Sequence, residues 1–116
     1  MEKVTILGKT LQADFTSPSY AEKFENEVQR VGEEFGRASQ AERGSEGIKI
    51  QCEAVIHAFD TLFGAGSAQK VLGKETNLLV CLDAFVELCS VYQTQINPLI
   101  AEKAEKAREM MSGAGK

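Results

Sequence analysis

Breaks in periodicity constrain this chain more than any other feature: Ser17-Pro18, Gly44 to Gly47, Gly64-Ala65-Gly66, Gly73 and Asn97-Pro98 leave one short alternating segment and several stretches of helical spacing. With 116 residues to share among these pieces, one core is expected and a second independent one is not. The pattern predicts a mainly α, helix-dominated α+β fold forming a single domain over 1–116. An N-terminal β-hairpin covers 1–15, a helical body 18–97 and a further helix 98–111, with a disordered tail over 112–116.

In the first segment, Gly8-Lys9 reads as a two-residue loop whose glycine takes the positive φ of a type II′ turn. That loop sets Leu7 opposite Thr10 and pairs Ile6 with Leu11, Val4 with Ala13 and Glu2 with Phe15 on one face, with Lys3 facing Asp14 on the other. One face is then apolar and must pack against helices or another chain, because an isolated hairpin is marginal in water.

Ser17 followed by Pro18 is a helix start, a capping side chain before a residue that needs no N–H. Tyr20, Phe24, Val28, Val31 and Phe35 then step by four, four, three and four, so they share one face of a helix running towards Ser39. Gly32 and Gly36 mark its last turns as frayed or as a place of close backbone approach. Residues 43–47 read as a loop, and the next stripe is Ile48, Cys52, Val55, Ile56, Phe59 and Leu62 or Phe63. A short turn from Ser67 to Leu72 separates it from a helix over Thr76 to Ile96, whose apolar residues cover more than a stripe and mark it as the most buried element. Pro98 either kinks that helix or ends it, and Ile100, Ala104, Ala107 and Met111 follow as a thin stripe among charges.

The net charge is −4 and basic residues are interleaved with acidic ones, which disfavours nucleic acid as a partner. No apolar run is long enough for a membrane span, and the first residues lack a signal-peptide pattern, so the expected location is the cytoplasm, with no membrane partner. The three cysteines, Cys52, Cys81 and Cys89, have no Cys-x-x-Cys spacing and sit among apolar residues, as reduced thiols in a core do.

Tests for chemistry find no catalytic, cofactor or metal site, so neither an enzyme nor a cofactor protein is expected. His57 is the sole histidine, with Glu53 four residues earlier in reach of an intrahelical contact and no set of ligands at metal-binding spacing. Gly66 and Gly73-Lys74 are too far apart for a phosphate loop, and Glu75 stands where its hydroxyl residue belongs. Gln69 likewise replaces the third glycine of a dinucleotide fingerprint. Glu33 and Glu34 are adjacent and therefore splayed.

One long stretch carries a resemblance. Phe59-Asp60-Thr61-Leu62-Phe63-Gly64-Ala65-Gly66, then Val71-Leu72-Gly73, Thr76-Asn77 and Cys81-Leu82-Asp83-Ala84-Phe85, resembles small proteins encoded in tail-gene clusters of phages and prophages of Gram-positive bacteria. The likeness extends from the hairpin to about Gln93 and rests on helix-breaking glycines and apolar spacing. It implies a tail assembly chaperone: a protein that binds the apolar, helical tape measure protein, keeps it soluble until tail-tube subunits replace it, and is absent from the finished particle. Such families often make a second, longer form by ribosomal frameshifting. The resemblance carries over no catalytic or ligand residue.

A chaperone of that kind needs exposed apolar surface. The candidates for gripping the client are the hairpin face, Val4, Ile6, Leu11 and Phe15, or the face of the first helix, Tyr20, Phe24, Val31 and Phe35. The competing reading makes all eight plain core, the usual place for such residues. Alternative functions are a structural virion component, such as a head-tail connector or minor tail protein, and a non-phage helical adaptor that self-associates through its hairpin edges as a homo-oligomer.

Overall fold

A computed structural model describes residues 1–114. Strands β1 (Glu2–Ile6) and β2 (Lys9–Ala13) form an antiparallel hairpin. Helices α1 (Pro18–Ala38), α2 (Gly44–Phe63), α3 (Ser67–Leu72), α4 (Leu78–Val91) and α5 (Asn97–Ala114) follow, with a π turn (Tyr92–Ile96) joining the last two. The helix-dominated α+β architecture is the one its periodicity predicts.

The hairpin keeps the expected apolar face but not the expected register. Val4 pairs with Leu11 and Glu2 with Ala13, so the two-residue loop is Leu7-Gly8, with φ of 49° and 79°. Positive φ at both central positions belongs to a type I′ turn, whose twist matches that of the strands. Leu7 is an unfavourable residue for this conformation; its N–H donates to Oε1 of Glu87 on α4 at 3.0 Å, a tertiary bond that holds the turn where local preference would not. Shifting the pairing by two residues leaves every side chain on its original face, so Val4, Ile6, Leu11 and Ala13 are still buried.

Ser17 caps α1 by accepting from Tyr20 N–H at 3.1 Å, with Pro18 in the first turn. The predicted loop over 43–47 is largely helix: α2 begins at Gly44, and the α1–α2 connection is only residues 39–43. Gly47 explains the short turn. A Cβ there would lie 3.1 Å from the carbonyl oxygen of Ala38, tighter than ordinary van der Waals contact, so the α2 backbone passes close against the end of α1. The close approach is therefore at Gly47, whereas Gly32 and Gly36 have open space around them.

The most buried helix is α2, not α4. It buries Gly47, Ile50, Cys52, Ala54, Val55, Ala58, Phe59 and Leu62 and meets α1, α3, α4 and β2. Counting large apolar residues misses this, because Ala54 and Ala58 serve by being small: they let Val31 of α1 come close. Ile48, expected in the stripe, is exposed. On α4, Cys81, Ala84, Leu88 and Val91 face the core while Leu79 and Val86 stay outside.

Pro98 does not end the helical path. The π turn precedes it, with Asn97 N–H bonding to the Tyr92 carbonyl five residues back, and the chain continues into α5. A wider turn relieves the clash between a proline ring and the carbonyl four residues earlier. The helix then runs through Ala114, past the tail expected from Ser112, because the polar residues Glu102 to Glu109 have good helical propensity and extend an existing helix at no nucleation cost. Gly115 and Lys116 lie outside the described residues. The chain measures 68 × 27 × 20 Å, with a radius of gyration of 17.5 Å, against about 13 Å for a compact chain of this length. The excess is α5, which leaves the bundle as an arm.

The glycine environments predict opposite responses. Gly32→Ala and Gly36→Ala should each stabilise the protein by about 0.5–1 kcal/mol, read as a higher urea midpoint, whereas Gly47→Ala should lower that midpoint by forcing α2 away from Ala38.

Candidate interaction surface

The eight residues considered for client binding lie inside. Val4, Ile6, Leu11, Phe15, Phe24 and Val31 are buried, and Tyr20 and Phe35 are partly buried against the same core. Burial puts the first six into the packing of this fold, and of these Phe15 and Phe24 also border an open groove beside the start of α1. Phe15, fully enclosed, receives three rings edge-on: Tyr20 at 5.3 Å, Tyr92 at 5.6 Å and Phe63 at 6.1 Å between centroids. The Tyr92 hydroxyl donates to the Phe15 carbonyl at 2.9 Å and the Tyr20 hydroxyl to the Leu62 carbonyl at 3.0 Å. These bonds join the hairpin exit to the π turn, and the start of α1 to the end of α2.

Burial shifts the titration of these groups. It holds the Tyr20 phenol above its ordinary value, with Tyr92 adding to the effect. Tyr92 is pushed up to about 12, first by burial and then by Glu25 and Glu2. Cys81 is raised to about 11 by burial and then by neighbouring Cys52, and burial raises Cys89 as well. Thiols held protonated in this way are poor nucleophiles.

His57 does not turn to Glu53, which instead pairs with Lys49 at 4.0 Å. Its Nδ1 lies 3.2 Å from Oε1 of Glu27, a buried carboxylate on α1 that sequence reasoning passed over. Arg30 donates to the same oxygen at 3.1 Å and to the Ala54 carbonyl of α2 at 3.1 Å. Glu27 follows Phe24 at helical spacing, one step from Val28, so its position beside the stripe was the available signal. The cluster fastens α1 to α2. Among the described residues, no group of three or more His, Cys, Asp or Glu side chains is arranged to hold a metal ion.

The motif around Gly64 is a helix junction. Gly64, Gly66 and Gly73 have φ of 104°, 87° and 88°, and Asp60 Oδ1 accepts from Ala68 N–H at 2.9 Å, capping α3. Asn77 caps α4 in the same way through Val80 N–H at 3.2 Å. Cys81 and Ala84 pack in the core and Phe85 meets Phe35 at 6.3 Å. The chain belongs to a family of unknown function, DUF6673. The match covers residues 7–113, so the family unit includes the arm as well as the bundle. No curated protein and no solved structure matches the chain.

Besides Met1 and Ile48, the large apolar residues that remain outside fall in two places. On the body, α4 exposes Leu79 and Val86, at 71% and 66%. On the arm, Ile100, Met110 and Met111 are exposed and only Leu99 is partly covered. Among the described helices, none is long and apolar enough to cross a membrane.

Two measurements follow from this geometry. Asp60→Ala should cost about 1 kcal/mol through loss of the cap, with the fold retained in far-UV circular dichroism. For Tyr20, Tyr92, Cys81 and Cys89, folding raises the pKa of a neutral acid, so the folded chain holds more protons than the unfolded one at high pH. Their stabilisation is fully present below the ordinary values of 9.0 and 10.0 and is lost as pH rises through the folded values. The urea midpoint should accordingly be insensitive to these groups near neutrality and fall above about pH 9–10. Tyrosine ionisation at 295 nm should occur at higher pH in the folded protein than in urea.

Proposed function

We propose that the protein is a non-catalytic binding protein that acts as a tail assembly chaperone, holding a tape measure protein soluble in the bacterial cytoplasm until tail-tube assembly. The observation that supports this reading is the arm: an 18-residue helix that leaves the bundle and presents Ile100, Met110 and Met111 to solvent. A helix of this length in water gains little from its own hydrogen bonds, and apolar residues displayed along it gain stability when another helix covers them. Methionine suits such a surface, being flexible enough to fit varied apolar partners. The tail-cluster resemblance of the segment from Phe59 to Phe85 supplies the choice of client; in the fold that segment builds the α2–α3–α4 junctions.

Co-expression with the tape measure protein of the same gene cluster tests the proposal. A soluble complex recovered through either partner, with tape measure precipitating when expressed alone, is the expected result. Tape measure that precipitates in both cases, with this chain recovered in purified particles, replaces the chaperone by a structural tail or connector protein.

A further inference from the structure

The apolar line that α4 buries continues after the bundle ends. Leu88, Tyr92 and Ile96 face the core, and Ile100, Ala104, Ala107 and Met111 prolong the line along α5. Exposure rises along it from 0% at Leu88 and 1% at Ile96 to 45% at Ile100 and 75% at Met111. Where the line leaves the bundle, an open groove of about 390 Å³ lies between the arm and the start of α1, lined by Pro18, Ala21, Phe24, Tyr92 and Ile100, with Glu25 as its one charged residue. The core therefore has an uncovered extension, shaped by one helix and closed at one end by the body.

Charge decides what fits there. Ile100, Ala104, Ala107 and Met111 step by four, three and four, the spacing of a seam between paired helices. The positions that flank such a seam hold Ala101 and Arg108 on one side and Lys103 and Met110 on the other, so every charge beside it is positive. Glu102 and Glu109 lie on the back of the helix. Arg108 also pairs with Glu105 at 2.6 Å, an exposed contact of little energetic weight. Two copies of α5 packed along this seam, parallel or antiparallel, would set basic residues against basic residues, which disfavours a second copy as the occupant. The alanines at the middle of the seam leave room for large side chains from the other helix.

We propose that α5 and the groove at its base dock an amphipathic helix of another protein, one with large apolar residues in its stripe and, over the length that lies along Lys103 and Arg108 and clear of Glu25, Asp or Glu beside that stripe. This inference rests on the binding role proposed above and specifies the chemistry of the partner.

The test uses the full chain and two labelled peptides of about five helical turns, each with a leucine stripe, one flanked by glutamates and the other by lysines. Fluorescence anisotropy should show the glutamate-flanked peptide binding about tenfold or more tightly than the lysine-flanked one. The double variant Lys103→Glu/Arg108→Glu should reverse that order. Ile100→Asp should weaken binding of the glutamate-flanked peptide at least about tenfold while circular dichroism and the urea midpoint stay unchanged, since Ile100 lies outside the core cluster. Equal affinity for the two peptides, or full binding by Ile100→Asp, overturns the proposal. So does a wild-type dimer in sedimentation equilibrium that Ile100→Asp converts to monomer, which gives the seam to a second copy. Tape measure held equally well by Ile100→Asp overturns this inference and leaves the chaperone reading standing. Selective binding of the glutamate-flanked peptide by a chain that fails to hold tape measure does the reverse.

Discussion

Every element of the bundle is tied, directly or at one remove, to the ring of Phe15. It sits at the exit of the hairpin and meets aromatic side chains from the start of α1, the end of α2 and the π turn. Edge-to-face pairs of this kind contribute beyond the area they bury, roughly 0.5–1.5 kcal/mol each. The hydroxyls of Tyr20 and Tyr92 reach past the ring to backbone carbonyls, so the residues that pack the node also satisfy polar groups around it. A two-stranded sheet too small to stand alone is stabilised there because its apolar face completes a core supplied mostly by helices.

The second fastening runs between α1 and α2 and is of a different kind. At one end Gly47 lets backbone meet backbone; midway, Ala54 and Ala58 make room for Val31; and beside them Glu27 gathers Arg30 and His57 across the helix pair. A buried carboxylate is costly unless it is paired, and here three hydrogen-bonding contacts converge on one oxygen. The polar cluster thereby favours one alignment of the two helices over neighbouring ones.

Much of this was legible in the sequence. Ser17-Pro18 marks the start of α1, the steps from Tyr20 to Phe35 mark its inner face, and alternation marks the hairpin. What escaped has a common cause: information held by contacts distant in sequence. The turn at Leu7-Gly8 depends on Glu87, eighty positions away. Gly47 reads as a loop residue until Ala38 is placed against it, and Ala54 and Ala58 carry no signal of burial because alanine is at home on either face of a helix. The apolar residues of the hairpin and first helix could serve a core or a surface, and only packing distinguishes the two; most of the exposed large apolar residues lie instead on α4 and α5. The thin stripe from Ile100 to Met111 was visible as a stripe with little to bury, and it remains uncovered.

The π turn has a geometric consequence for that stripe. Four-residue steps drift by about 40° each in a regular α-helix, so a straight continuation from Leu88 would carry Ile100 roughly 120° round the axis after three steps. A five-residue turn over Tyr92–Ile96 absorbs much of that rotation. The irregular turn therefore works as a phase corrector: it keeps the arm's narrow apolar edge aligned with the wall of the core, so that a helix laid along one is already aimed at the other.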